Sequence, residues 1–226
     1  MVTNKKTRKT FIKPCIVGMW QFNFPGTVES FFLPVLSIPF YSYLYYNPAM
    51  KNEETFKIKL GISSCLLGQQ VRYDGGHKLD LYLRDVLGQT VEYVTVCPEV
   101  GMGLGTPRET IRLKGDPLKP KLVNSGTGID HTDKMSAWMT MKLDLLAEQN
   151  LSGFIFKSQS PSCGKKDIKV YDNDGRFGLT GTGVFARAVM VRFPGLPVEE
   201  ESRLQDSSSR EDFMKRVISY HRRHYT

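Results

Sequence analysis

The chain has 226 residues, 40% of them hydrophobic and 24% charged, with a net charge of +8 at neutral pH. That length holds one large domain or one with appendages, and that composition excludes wholesale disorder. Cys15, Cys65, Cys97 and Cys163 form no CxxC pair, which argues against a disulfide-dense secreted scaffold and fits reduced thiols in a cytoplasmic protein.

Residues 1–49 differ from the rest. They open on Lys5, Lys6, Arg8, Lys9 and Lys13, run into an aromatic stretch from Phe31 to Tyr46, and carry half of the net charge. Pro34 and Pro39 break the apolar part, which is shorter than the ~20 residues a membrane-spanning helix needs. The expectation is a leader outside any domain, with Met50 as the natural start and no membrane association. From Lys57 an α/β rhythm begins. A strand over 58–62 leads into Ser63-Ser64-Cys65, and the turn-forming cluster Arg72 to His77 follows. Leu79, Leu83, Val86 and Leu87 have helical spacing, which predicts a helix from His77 to Leu87. A strand over 91–96 runs into Cys97-Pro98-Glu99. Residues 110–113 and 121–123 can pair as an antiparallel hairpin.

Asp130 or Thr132 can cap a helix over about 132–149. Its predicted apolar face uses Met135, Trp138, Met139, Met141, Leu145 and Leu146. A strand over 153–157 leads to Ser158-Gln159-Ser160-Pro161-Ser162-Cys163. A short strand over 168–171, a turn at Asn173-Asp174-Gly175 and a helix over 184–193 follow. Residues 198–226 read as polar helices, the last amphipathic through Phe213, Val217 and Tyr220. The domain is expected over 50–200, with a helical tail over 201–226.

Three strand-like runs therefore each end in a cysteine. If the strands are parallel, Cys65, Cys97 and Cys163 lie at one sheet edge, beyond the C-terminal ends where open α/β sheets bind ligands. Buried unliganded cysteine is common, so spacing alone leaves a shared site and three small core residues both open. Three soft thiolates at one edge suit an iron–sulfur cluster or a zinc site. A [4Fe–4S] cluster on three cysteines keeps one iron open to substrate. Cys15 reads as an ordinary free thiol.

Glu99, two residues past Cys97, is either a carboxylate paired with Arg108 or Arg112, or a general base beside the metal. Ser160 and Ser162 either satisfy the backbone or bind a substrate carbonyl. Lys157 and Arg72 are members of an anion site or surface charges. His77 reads as a helix start rather than a ligand. Gly101, Gly103 and Gly105 do not make a dinucleotide fingerprint, because Pro107 and a strand-like segment follow instead of a helix.

At these residues the sequence resembles a known family. Gly61-Ile-Ser-Ser-Cys-Leu-Leu-Gly68, Val71-Arg-Tyr-Asp-Gly-Gly-His77, Val96-Cys-Pro-Glu-Val-Gly101, Gly103-Leu-Gly-Thr-Pro-Arg108 and Lys157-Ser-Gln-Ser-Pro-Ser-Cys-Gly164 resemble the thiouracil desulfurase family, as do Gly183 to Arg187 and Phe193 to Glu201. The resemblance covers about residues 57–220. It implies a [4Fe–4S] cluster on Cys65, Cys97 and Cys163, with Glu99 and Ser162 as the catalytic pair; Ser64, Ser160 and Arg108 are expected toward the substrate. The implied activity replaces the thiocarbonyl sulfur of a thiolated uracil or thiouridine with oxygen and releases sulfide. Glu199-Glu200-Glu201 and the segment after it resemble the junction to a second helical domain in a longer branch, whose implied substrate is 4-thiouridine in transfer RNA.

The expected fold is an α/β domain of three layers with a mostly parallel sheet and the cluster at the C-terminal edge of the strands. The expected partner is a small thiolated base or nucleotide, with transfer RNA as the alternative. The rival function is a non-catalytic iron–sulfur or zinc protein acting as a sensor or RNA-binding module.

Overall fold

A computed structural model describes residues 58–226. The expected leader over 1–49 and the assignment of Cys15 lie outside the described residues. In chain order the elements are β1 (Ile58–Ser63), β2 (Val91–Val96), α1 (Pro98–Gly101), β3 (Ile111–Lys114) and β4 (Lys121–Asn124). Then come α2 (Thr132–Ala147), β5 (Leu151–Phe156), β6 (Ile168–Tyr171), β7 (Phe177–Gly181), α3 (Val184–Arg192), β8 (Val198–Glu200) and α4 (Ser207–Tyr225).

The strands form two sheets. The first is wholly parallel, in the order β2-β1-β5-β8. Its strands are runs of β-branched, aliphatic and aromatic residues, and β5 is buried at every position, as a strand covered on both faces must be. Alternate side chains feed two cores. Leu60, Ile62 and Ile155 pack with Leu83, Leu87, Phe213 and Val217, the last two from α4. Phe154 and Phe156 point the other way, onto Leu146 of α2 and Phe185 and Val189 of α3. These are the three expected layers. Phe154 needs a gap in β1. A Cβ on Gly61 would sit 2.2 Å from the Phe154 ring, so this position has no room for a side chain.

The second sheet is mixed, in the order β4-β3-β6-β7, and its core of Leu113, Leu122, Ile168 and Val170 packs on Met102 and Met135. Trp138 and Met139 of α2 touch the cores of both sheets. The sequence predicts the β3–β4 hairpin and β6 but neither β7 nor a separate sheet.

Three expectations fail locally. The helix expected from His77 starts late: residues 77–80 are not helical, and the helical run begins at Leu81 and continues through Tyr82–Val86 and Leu87–Gln89. On α2, Met141 and Leu145 are 63% and 53% exposed, because the inward stripe runs through Met135, Trp138, Met139, Leu143 and Leu146. Residues 198–200 are a strand rather than part of a helix, pairing parallel with β5. The final helix is longer than its amphipathic pattern predicts. It starts at Ser207, where Asp206 accepts from the Ser209 N–H at 2.8 Å and so caps it.

Candidate active site

The strand order places β2, β1 and β5 side by side and parallel. Cys97 follows β2 directly, Cys65 lies in the 3₁₀ turn Ser64–Leu67 after β1, and Cys163 lies in the turn after β5. All three thiols line one cavity of about 480 Å³ at the C-terminal edge of the sheet. Ser63, Ser64, Arg72, Glu99, Arg108, Lys157, Ser160 and Pro161 share the lining.

The third cysteine loop is fastened to the start of α3. The N–H groups that open a helix have no partner within it. In α3 the N–H of Val184 donates to the Pro161 carbonyl at 3.0 Å, and those of Phe185 and Ala186 donate to Ser162. A Cβ on Gly183 would lie 2.7 Å from the Ser162 carbonyl group, so this approach demands glycine. Ser160 Oγ accepts from the backbone N–H of both Ser162 and Cys163, at 3.2 and 3.1 Å. That is the backbone-satisfying role, although Ser160 also faces the cavity. Ser64 is buried at the cavity wall.

Glu99 sits on α1, just past Cys97. Arg108 donates to its Oε2 through Nε and Nη2, at 3.0 and 2.6 Å. Ser162 Oγ donates to its Oε1 at 3.0 Å. Ser162 is fully buried, so its hydroxyl has a fixed partner in place of water. Arg108 also donates to the carbonyls of Val71 and Gly105, and Val71 accepts from the Cys97 thiol at 3.7 Å. Of the two arginines considered for Glu99, Arg112 does not reach it. It lies over the Tyr171 ring, 5.0 Å from the centroid.

Burial raises all three thiols above their ordinary range, Cys65 to about 11. Mutual repulsion adds to this. Arg72 and Lys157 oppose it at Cys65, and a hydrogen bond from Ser63 opposes it at Cys163. A bound cation would relieve both the desolvation and the repulsion by taking the thiolate form. Cys65, Cys97 and Cys163 are therefore the residues that could hold a metal group. Among the described residues, no three His, Cys, Asp or Glu side chains close on a point as one ion requires. The three thiols border one chamber.

Sequence reasoning missed the acidic strand β8. Glu200 and Glu201 are 6% and 9% exposed. Glu201 pairs with Lys157 Nζ and accepts from the Ser158 N–H at 2.6 Å, while Glu200 accepts from the Lys165 N–H at 2.8 Å. Glu199 holds Lys165 Nζ at 3.4 Å and Arg216 at 3.3 Å. These carboxylates clamp the third cysteine loop. Lys157 and Lys165 are thus engaged inside the protein, while Lys166 is exposed beside Asp167. Three consecutive glutamates after a valine were the available signal, but the sequence predicts polar helices there and resembles the junction to a second helical domain. His77 is an exposed loop residue whose Nδ1 accepts from the Leu79 N–H.

A second cavity of about 820 Å³ shares Thr110, Ile111, Ser158, Gln159 and Pro161 with the first. Arg112, Lys166, Lys169 and Arg203 line it.

Residues 60–201 match the family described as 2-thiouracil desulfurase. The chain belongs to that family. It is 31% identical over 150 residues to the uncharacterized protein YbbK of Bacillus subtilis strain 168, covering 64% of this chain and 97% of YbbK. Among solved structures it resembles TudS, a [4Fe-4S]-dependent thiouracil desulfidase. The identity is 32% and the TM-score 0.55, over 69% of this chain and 99% of TudS. Among the described residues no helix is long and apolar enough to cross a membrane.

Proposed function

We propose that the protein is a desulfidase that converts the thiocarbonyl of a thiolated uracil or thiouridine into a carbonyl and releases sulfide. The observation that carries this reading is a cavity walled by three cysteines, Glu99 and Arg108, in which Arg108 and the fully buried Ser162 both hydrogen-bond the Glu99 carboxylate. Family membership and the TudS likeness support the same chemistry. Cys65, Cys97 and Cys163 would hold a [4Fe–4S] cluster, one cysteine short of the usual four. When bound, such a cluster supplies a Lewis-acidic iron that polarises the carbon–sulfur bond.

The chain's own residues do the rest. Arg108 holds Glu99 Oε2 with two charge-assisted bonds and fixes the carboxylate. Glu99 takes a proton from the water that attacks the ring carbon. Ser162, fully buried, donates to Oε1 at 3.0 Å and helps orient the carboxylate, and Glu99 then passes the proton to the departing sulfur. Thiocarbonyl plus water yields carbonyl plus hydrogen sulfide, so electrons balance without a reductant. General-base catalysis of this kind contributes about 10²–10⁴-fold.

The adjoining cavity favours a substrate larger than a free base. Arg112, Lys166, Lys169 and Arg203 suit the phosphate of a thiouridine nucleotide. The test is anaerobic reconstitution with iron and sulfide, then sulfide release from 2-thiouracil, 4-thiouridine, its monophosphate and thiolated transfer RNA at two ionic strengths. The expected result is sulfide release with the highest kcat/KM on the monophosphate, falling as salt rises. A cluster-loaded protein that releases sulfide from none of them overturns the reading in favour of a non-catalytic sensor or RNA-binding module.

A further inference from the structure

Arg72 lines the thiol-walled cavity, yet its Nε is buried with no hydrogen-bond partner among the described residues. A buried guanidinium N–H without an acceptor is unfavourable, and native proteins rarely keep one. The nearest carboxylate oxygen, Asp74 Oδ1, is 3.8 Å away and already accepts from the Gly76 N–H at 2.9 Å. The side chain is 23% exposed, so water reaches only part of it.

The backbone holds Arg72 in this position from both sides. The Val71 carbonyl is bound by Arg108 Nη2 and by the Cys97 thiol. The Tyr73 carbonyl accepts from the Arg108 N–H at 2.7 Å. Arg72 itself donates its N–H to Gly76 and accepts from Gly75 in a tight turn. The residue is thus fixed between Cys97 and the arginine that holds Glu99. The other cations of the lining are committed or outside: Arg108 to Glu99, Lys157 to Glu201, and Lys78 exposed at the rim. One preorganised cationic donor is left for whatever occupies the chamber.

We propose that Arg72 binds the sulfur that the reaction expels, the terminal N–H groups of its guanidinium donating first to the thiocarbonyl sulfur of the substrate and then to the hydrosulfide anion. This rests on the desulfidase reading above. Negative charge grows on that sulfur as the carbon–sulfur bond breaks. A fixed, permanently charged donor is most useful where charge develops during a reaction. The same contact makes Arg72 selective for a thiocarbonyl whose sulfur enters the cavity, and makes hydrosulfide an inhibitor held by Arg72.

The experiment uses Arg72→Met and Arg72→Lys. Thermal unfolding of the cluster-free proteins comes first. Because Nε has no protein partner, Arg72→Met should unfold at the parent's temperature or higher; a marked drop would make Arg72 a structural residue and overturn the proposal. Next, the reconstituted proteins are titrated anaerobically with sodium sulfide and followed by visible absorption. Arg72→Met should keep the parent's iron content and bind hydrosulfide on the order of 10- to 100-fold more weakly, the worth of one hydrogen bond to a charged group. Arg72→Lys, which keeps the charge but loses the planar donor, should fall between. Parent-like sulfide affinity in both variants, or loss of iron in both, sinks the proposal. If the parent itself releases no sulfide from any thiolated uracil, the desulfidase reading fails, while the sulfide titration still reports on Arg72 separately.

Discussion

The two sheets do different work. In the parallel sheet, β5 is buried at every position and three adjacent strands each end in a cysteine of one cavity. In the mixed sheet, four of the five residues of β7 are exposed, among them Phe177 and Leu179. That sheet reaches the first cavity only through the segment before and at the start of β3, which carries Arg108, Thr110 and Ile111. The lesson is that chemistry collects where parallel strands stop together, because only there does one edge gather loops far apart in sequence. The mixed sheet supplies a wall and, through β6 and β7, the lining of the second cavity. Changes at the first edge should therefore abolish the chemistry, and changes in the second sheet should alter substrate preference or leave activity intact.

The largest expected effect is at the thiols. Cys65→Ser, Cys97→Ser and Cys163→Ser should each lose iron and all activity, while Cys15→Ser should lose neither. Iron and sulfide content after reconstitution checks this, and a cluster-loaded, active Cys97→Ser protein would break the comparison at its centre. Next is Glu99→Gln, nearly the same shape but unable to accept a proton. It should keep the cluster spectrum and lose about 10²–10⁴-fold in kcat. Loss of the cluster instead would make Glu99 structural.

The clamp on the third loop ranks third. Glu201→Ala leaves Lys157 in a partly buried site with no carboxylate, where the two side chains are only 17% and 12% exposed in the parent. Stability should fall by about 3 kcal/mol, the lower end for breaking a buried pair. Iron should also be lost faster to a chelator. Parent-like stability would show the clamp to be incidental. The smallest effect contrasts the two sheets directly. Gly61→Ala forces a methyl group into the Phe154 ring, whereas at Gly178 of β7 the nearest atom to a new Cβ is 3.5 Å away. Gly61→Ala should cost about 1–3 kcal/mol by overpacking, and Gly178→Ala almost nothing. Equal losses in thermal unfolding would mean the sheets are not packed as differently as their burial implies.

The same contrast explains what could be read from the sequence. The strands β1, β2 and β5 are short apolar runs that stop at loop residues, so their ends and their cysteines stand out. The parallel pairing that brings Cys65, Cys97 and Cys163 together follows from the α/β rhythm. The mixed sheet is harder to read. Phe177 to Gly181 has a short, glycine-containing pattern, and its strand exists because β6 offers an edge. The strand Val198–Glu200 was hidden by its glutamates, which favour helix locally and are buried only because Lys157, Lys165 and backbone N–H groups meet them. The late start of the helix after His77 has the converse cause. Leu79 and Leu83 have helical spacing, but the chain there is tied to the first cysteine turn, with the Lys78 and Asp80 N–H groups donating to Cys65 and Leu66. The neighbours of Glu99 were legible only as candidates. Arg108 and Arg112 are equally plausible by position, and the fold chooses Arg108.

The most direct test of the hydrolytic desulfidase is a turnover of the anaerobically reconstituted protein on 4-thiouridine monophosphate in water enriched in heavy oxygen. The account predicts one sulfide released for each carbonyl product formed, with the new carbonyl oxygen drawn from that water and no reductant added. A cluster-loaded protein that forms no sulfide, or that forms it only when electrons are supplied, would contradict it.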